Sequence, residues 1–424
     1  MTTLHLEEIA ESTTARGFWT RSRKAGVLYV ALGLLAALGF GWWLTPSGET
    51  SRFTLSDDQL ALAIDVPSQP GAIAFGLLCV AAGVALLAGV AARHFGWATG
   101  IALVSFVLSF LCWQVAGEFM PLVSIARGSL VLALPLIFGA LSGVLCERAG
   151  VINIAIEGQL LMGAFAAAMV GTLTASLWLG VAASAVGGLL IAALLAVFAI
   201  RYLVDQIVLG VVLIVFAIGV TGFLYERLMQ PYQATLNNPG IMPAFEIPGL
   251  ASIPFLGPVM FSVSPFVYLA LGLVVIVHLA LFHSRWGLRV RAVGEHPTAA
   301  DTVGVKVKRV RYLSVLYGGM VAGIGGAFLT VGDTGQFIKG MSNGKGFIAL
   351  AAMIFGRYSP TGALLAALLF GFADRLQIYL AGIGSEIDSQ FLAMAPYIAT
   401  ILAVAGLVGR VRPPAANGKP YVKG

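Results

Sequence analysis

Between Gly26 and Gly409 the chain is built largely from apolar runs of about 20 residues, and that length restricts its fold more than any other feature. A hydrocarbon core about 30 Å thick takes roughly 20 helical residues to cross. Backbone groups in lipid find no water, so only helices or a closed barrel satisfy them. The runs are continuous and do not alternate, which selects helices. Only 10% of the residues are charged. Ordinary soluble domains carry about 25%, so a soluble surface is excluded. The fold class predicted is an all-α polytopic membrane protein.

Membrane helices are predicted at about 26–44, 71–92, 97–117, 128–146, 155–173, 176–200, 206–229, 264–283, 312–331, 346–357, 361–380 and 391–409, twelve in all. The run 346–357 is too short to cross alone if straight, so it is either a half-helix or extends into its loop. The polar first 24 residues precede an apolar run that is long for a signal peptide and lacks a cleavage site, which predicts a retained anchor helix. The net charge of +6 does not predict a nucleic-acid partner, because the basic residues sit at helix ends and in a few loops. Placing Arg16, Arg21, Arg23, Lys24, Arg93, Arg201, Arg410 and Arg412 on the cytoplasmic side gives alternating crossings with both termini cytoplasmic. Loops 45–70 and 230–263 then face outward. Arg127, Arg227 and Lys339 fall outside as well, so the charge rule acts here only as a bias.

Loop 284–311 departs from the other cytoplasmic loops. It holds seven basic residues, among them Arg289 and Arg291, and two acids, Glu295 and Asp301. Pro297 suits the first position of a helix and Gly304 the position past its end. A helix that short is marginal in water, so a partner is expected to hold it. The alternative is a basic loop that only sets topology.

A second polar interruption lies between apolar runs, "SGVLCERAGVINIAIEGQLLMGAF" at 142–165. Charges at such depth usually face a cavity or a partner. Glu147 and Arg148 fall at a membrane boundary and suit an interfacial pair. Asn153, Glu157 and Gln159 open the next helix. They would serve either to line a path for a polar solute or to satisfy backbone groups where the helix is interrupted. Asn343, Lys345 and Phe347 hold the related place in a second stretch of similar design. The two stretches run in opposite orientations under this topology, as in the inverted repeats of transporters. The pairs Gly139–Gly143 and Gly319–Gly323 have the small-xxx-small spacing of close helix packing.

Chemistry-bearing motifs are otherwise sparse. No phosphate loop is present, since "GMSNGKG" at 340–346 lacks both its spacing and its hydroxyl. His278 and His283 are five residues apart, a poor spacing for a shared metal. Cys79, Cys112 and Cys146 lie in apolar runs and read as small packing residues. No cofactor or metal is expected on this chain, and it is not expected to be an enzyme.

Three stretches together carry a resemblance: "LCERAGVINIAIEGQLLMGAF", "DQIVLGVVLIVFAIGVTGFLYERL", and "GLRVRAVGEHPTAADTVGV" with the following "RVRYLSVLYGGMVAGIGGAF" and "GKGFIALAAMIFGRYSPTGALLAALLFGFAD". Over roughly 97–410 the chain resembles permease subunits of bacterial ABC importers. It is most similar to the branch that serves nucleosides through a basic-membrane-protein-type binding lipoprotein. More distant relatives handle simple sugars and branched-chain amino acids. The resemblance implies a ten-helix importer permease core with an inverted repeat, over 97–412, which two extra N-terminal helices and an outward loop precede within 1–96 and a cytoplasmic tail, 413–424, follows. It also implies a short coupling helix in loop 284–311, after the sixth core helix, where charge and end signals had already placed one. The implied coupling residues are Arg289, Arg291, Glu295, Pro297, Ala299, Ala300, Asp301 and Gly304. The implied partners are a cytoplasmic ABC ATPase that uses ATP, a second permease subunit in a heterodimer or homodimer, and an extracytoplasmic binding lipoprotein, all at a bacterial cell membrane. The chain departs from the pattern at Ile214, where relatives often carry Asn. The competing classes are an ion-coupled secondary transporter, which would bear more buried acids, and a membrane-embedded enzyme or sensor, which would need a catalytic set.

Overall fold

The computed structural model describes residues 20–55, 63–384, 387–388, 390–391, 394, 397 and 412–423. Among the described residues ten helices are long and apolar enough to cross a membrane. The architecture is all-α, with two small sheets. The predicted span 391–409 lies, but for three residues, outside the described residues. The chain divides into two compact units, with the boundary between Val123 and Ser124.

The first unit holds helices α1 (Arg21–Leu44), α2 (Ser68–Leu87) and α3 (Ala92–Gln114). Small residues set the approach of α1 to α2. A Cβ added at Gly76 would lie 2.5 Å from the Ala37 nitrogen, and one at Gly83 2.7 Å from that of Val30. Close backbone approach of this kind is how helices associate where burying apolar surface has no driving force. Ser109 on α3 donates to the Ala72 carbonyl at 2.7 Å, so a buried hydroxyl is satisfied between helices. Strands β1 (Thr50–Thr54), β2 (Ala63–Pro67) and β3 (Phe119–Pro121) form a sheet in the order β2-β1-β3. On β1 and β2, Arg52 grips Asp65 through two hydrogen bonds of 2.8 and 3.1 Å, and that hydrogen bonding holds the Asp65 carboxyl below its ordinary pKa.

The second unit contains α4 (Leu122–Glu147, from Ser124 on), α5 (Ile156–Leu173), α6 (Leu177–Arg201), α7 (Gln206–Met229) and α8 (Pro265–His283). A short pair follows, α9 (Arg285–Glu295) and α10 (Pro297–Thr302). The unit continues with α11 (Val307–Thr334), α12 (Lys345–Phe355) and α13 (Pro360–Gly382). Strands β4 (Phe245–Glu246) and β5 (Ser262–Val263) pair in the loop before α8. Helix α12 has 11 residues. At 1.5 Å per residue it is about 17 Å long, a half-helix, so the first of the two alternatives for this run holds.

Helices α5, α6 and α11 meet at glycines. A Cβ at Gly323 would strike the Ser184 carbonyl, one at Gly188 the Gly319 carbonyl, and one at Gly163 the Gly323 carbonyl. On the other face, Gly139 and Gly143 of α4 sit against Ala349 and Met353 of α12. Both glycine pairs picked out by spacing are therefore packing sites. The turn from α12 to α13 carries Arg357 and Tyr358 at φ of +56° and +55°, a region that costs non-glycine residues energy. Arg148 holds that turn, donating to the Tyr358 carbonyl at 2.8 Å and to that of Arg357 at 3.4 Å.

Candidate functional site: a polar junction and a docking platform

Helix α4 ends in a tight turn at Gly150, whose φ is +83°. Residues 151–153 are then irregular, although Gly139 of α4 lies beside Ile156 and so places the start of α5 about two turns back along α4. Irregular backbone at that depth must find partners within the protein. Gln206 supplies one, its Oε1 accepting from Ile152 N–H at 2.8 Å. Asn153 and Gln159 supply the rest of the framework. Asn153 Nδ2 donates to Gln159 Oε1 and to Ser142 Oγ, both at 3.1 Å, and Gln159 Nε2 returns a bond to Asn153 Oδ1 at 3.2 Å. Ser142 Oγ also donates to Gln159 Oε1 at 3.3 Å. All three residues are fully buried.

Glu157 faces the other polar stretch. Its Oε1 accepts from Gly344 N–H at 2.8 Å and its Oε2 from Gly346 N–H at 2.6 Å. The first amides of a helix have no partner within it, and an anion there also meets the positive end of the helix dipole. Glu157, 5% exposed, thus caps α12 from a neighbouring helix. Gly346 is glycine because any Cβ would strike the Glu157 backbone. Gly344, at φ +79°, starts the helix. The structure therefore joins the two stretches that the sequence singles out, and separates their side chains into two groups. Asn153, Glu157 and Gln159 are buried, Asn153 and Gln159 bonded to each other and Glu157 to the α12 start. Asn343 is exposed, Lys345 is partly exposed and Phe347 is 50% exposed.

The loop 284–311 forms a platform. Ser284 caps α9, accepting from Gly287 N–H at 3.0 Å. Pro297 is the first residue of α10, and Gly304 follows the helix at φ +84°. Arg289, Glu295, Ala299 and Gly304 are exposed, and Arg291 and Asp301 partly so. The Arg291 guanidinium lies 5.2 Å from the centre of the Phe282 ring. Ala300 differs from its neighbours, being 4% exposed and part of the apolar core. The outward apolar groups of the platform are instead Leu288 and Val303, the latter 79% exposed. Burial pushes the Arg148 guanidinium below its ordinary pKa beside this platform.

Sequence reasoning missed segment 412–423, which lies along the platform. Ala416 N–H donates to the Gly294 carbonyl at 2.8 Å, and Asn417 Nδ2 donates to Glu147 Oε2 at 2.7 Å. The Asn-Gly pair at 417–418 was an available turn signal. Ser142 and Gln206 also went unremarked, since a lone polar residue in an apolar run has no spacing to mark it.

A family model described as the branched-chain amino acid transport system / permease component matches residues 125–408. The guanosine ABC transporter permease protein NupQ of Bacillus subtilis is 41% identical over 309 residues, covering 71% of this chain and 97% of that protein. The nucleoside ABC transporter permease protein NupC of Lactococcus lactis is 37% identical, covering 70% and 96%. The putative glucose ABC transporter permease protein TsgC13 of Haloferax volcanii is 33% identical, covering 65% and 88%. No solved structure matches. With two-thirds of its length inside the family model and a polytopic helical bundle to match, the chain belongs to the branched-chain amino acid transport system / permease component family.

Proposed function

We propose that this chain is the membrane subunit of an ATP-driven importer and forms a translocation path for nucleosides by alternating access. The observation that carries the reading is the 41% identity to a guanosine permease across nearly that protein's whole length. ATP hydrolysis belongs to a separate cytoplasmic ATPase, which docks on α10 and the exposed Leu288 and Val303. The chain itself needs no cofactor. The loop 284–311 and both termini lie in the cytoplasm. Substrate arrives on a lipoprotein at the opposite face.

Asn343, Lys345 and Phe347 line the path, while Asn153, Glu157 and Gln159 hold the helix starts that position them. An unshielded Lys deep in a bilayer costs about 2.5–3.5 kcal/mol on insertion scales. Lys345 is partly exposed and interacts with the carboxylates of Asp333 and Asp374, a set of charges suited to an aqueous path that a second permease subunit closes. Phe347 offers an aromatic face to a base, and Asn343 an amide to its edge.

The test is uptake. The chain with its ATPase, partner permease and lipoprotein in proteoliposomes should accumulate labelled guanosine when given ATP. ATP-dependent uptake of glucose in its place, the reading that the similarity to TsgC13 supports, would move the substrate and keep the transporter class. Uptake without any ATPase would overturn the class.

A further inference from the structure

Segment 412–423 touches four elements in order. Ala415 N–H donates to Glu295 Oε2 at 3.1 Å, and Ala416 N–H to the Gly294 carbonyl, both at the end of α9. Asn417 Nδ2 donates to Glu147 at the end of α4, and Gly418 N–H to the Gly150 carbonyl at 3.3 Å in the following turn. The Lys419 carbonyl accepts from Arg311 Nη1 of α11 at 2.9 Å. Tyr421 then comes close to Asp301 of α10, its hydroxyl pKa raised there chiefly through burial, and Lys423 Nζ lies 3.9 Å from the same carboxylate. Pro414, Ala416 and Tyr421 are buried. The segment is bound along its length.

The connection continues inward from Asn417. Glu147, which is buried, ends α4, and the turn that follows it leads to Asn153. Asn153 is paired with Gln159, two residues beyond the Glu157 that caps α12. The segment thus reaches Asp301 on the docking helix through the Lys423 ion pair, and the end of α4 through Asn417, from which the turn at Gly150 leads to Asn153 and the start of α12.

We propose that segment 412–423 is a positioning strap that joins the ATPase-docking helix to the polar junction of α5 and α12, so that displacement of α10 reaches the path. The proposal rests on the importer reading above. Arg311 argues that the strap is a moving part. Its guanidinium is 2% exposed, and among the described residues Nε and Nη2 have no hydrogen-bond partner. Burying a charge that is only partly satisfied opposes docking. Detachment would return Arg311 to water and offset part of the loss of strap contacts. A strap balanced in this way holds the docking helix without locking it.

The experiment uses the full complex in proteoliposomes and compares wild type with two variants: deletion of 412–424, and Gly418→Val. Gly418 has φ +73°, and a Cβ there would lie 2.7 Å from Ile152 Cδ1, so Val should expel the strap without touching the core. Guanosine uptake and ATP hydrolysis are measured together, per assembled complex. Both variants should still bind the ATPase and hydrolyse ATP, with guanosine taken up per ATP falling by about fivefold or more, within the usual range of coupling free energies. A tail that merely stabilised the fold would lower the amount of complex and leave that ratio unchanged. An unchanged ratio in a wild-type-like amount of the Gly418→Val complex overturns the strap even if the deletion fails to assemble. Wild-type complex that takes up guanosine with unchanged ratios in both variants sinks the strap alone. Absence of ATP-driven uptake by wild type sinks the importer reading and the strap with it.

Discussion

Glu157 illustrates how a charge in an apolar segment can be occupied by backbone groups. Both carboxylate oxygens accept backbone amides of α12, leaving the side chain little surface for a solute. Glu157→Gln replaces one acceptor with an NH2 that faces an amide donor. An unsatisfied buried group costs about 1–3 kcal/mol. We therefore expect lower thermal stability in detergent and less folded protein, with per-molecule uptake near wild type. Normal amounts of folded protein with impaired uptake would return Glu157 to the solute's path. Lys345→Met should do the reverse. It is partly exposed and lies outside the buried polar cluster, so folded protein should stay normal while ATP-driven uptake falls by roughly tenfold, the loss of about 1.4 kcal/mol of interaction. Equal uptake per folded molecule would remove Lys345 from the path.

At the scale of elements, α10 turns one exposed side and one buried side to its surroundings, and adjacent alanines should report on each. Ala299 is exposed, whereas Ala300 is buried in the core. Ala299→Glu and Val303→Glu should weaken ATPase binding by tenfold or more, roughly the effect of losing a central interface contact, and should leave the permease's own melting point unchanged. Ala300→Glu should instead destabilise the loop by more than about 2 kcal/mol, because it forces a polar group into the apolar core. Identical melting points for the Ala299→Glu and Ala300→Glu variants would contradict this orientation of α10. Packing within the bundle is equally position-specific. Gly323→Val would force α5, α6 and α11 apart at their closest point, where a Cβ already meets the Ser184 carbonyl. Overpacking typically costs 1–3 kcal/mol, and backbone in the way raises that, so a sharp fall in folded yield is expected.

For the whole molecule, the alternation of crossings makes one prediction that needs no partner. Ser252 and Val303 are separated by a single membrane span, α8, and both are accessible. Cys79, Cys112 and Cys146 are buried and should stay silent to a membrane-impermeant thiol reagent. In right-side-out vesicles Ser252→Cys should label from outside, and Val303→Cys only after the membrane is opened. Labelling of both from one side would break the topology. The family match begins at residue 125, next to the boundary between the two compact units, so the three helices of the first unit stand outside the part shared with the family.

The apolar runs by themselves determined that this chain crosses a membrane many times as helices, because lipid leaves the backbone no other way to bond. Pro297 and Gly304 marked α10 for a similar reason, since the conformations they favour are local properties of the chain. The interruptions at 147–159 and 339–347 were visible as polar residues in apolar surroundings, and two uses were open for them. Only the tertiary structure showed which backbone groups Glu157 meets, by bringing Gly344 and Gly346 to it across nearly two hundred positions of sequence. Hydrogen-bond partners at that separation leave no periodicity for a sequence to display. The same holds for the inward side of Ala300, which six residues of helix are too few to reveal, and for the strap, whose bonds are made mostly by backbone groups that every sequence possesses.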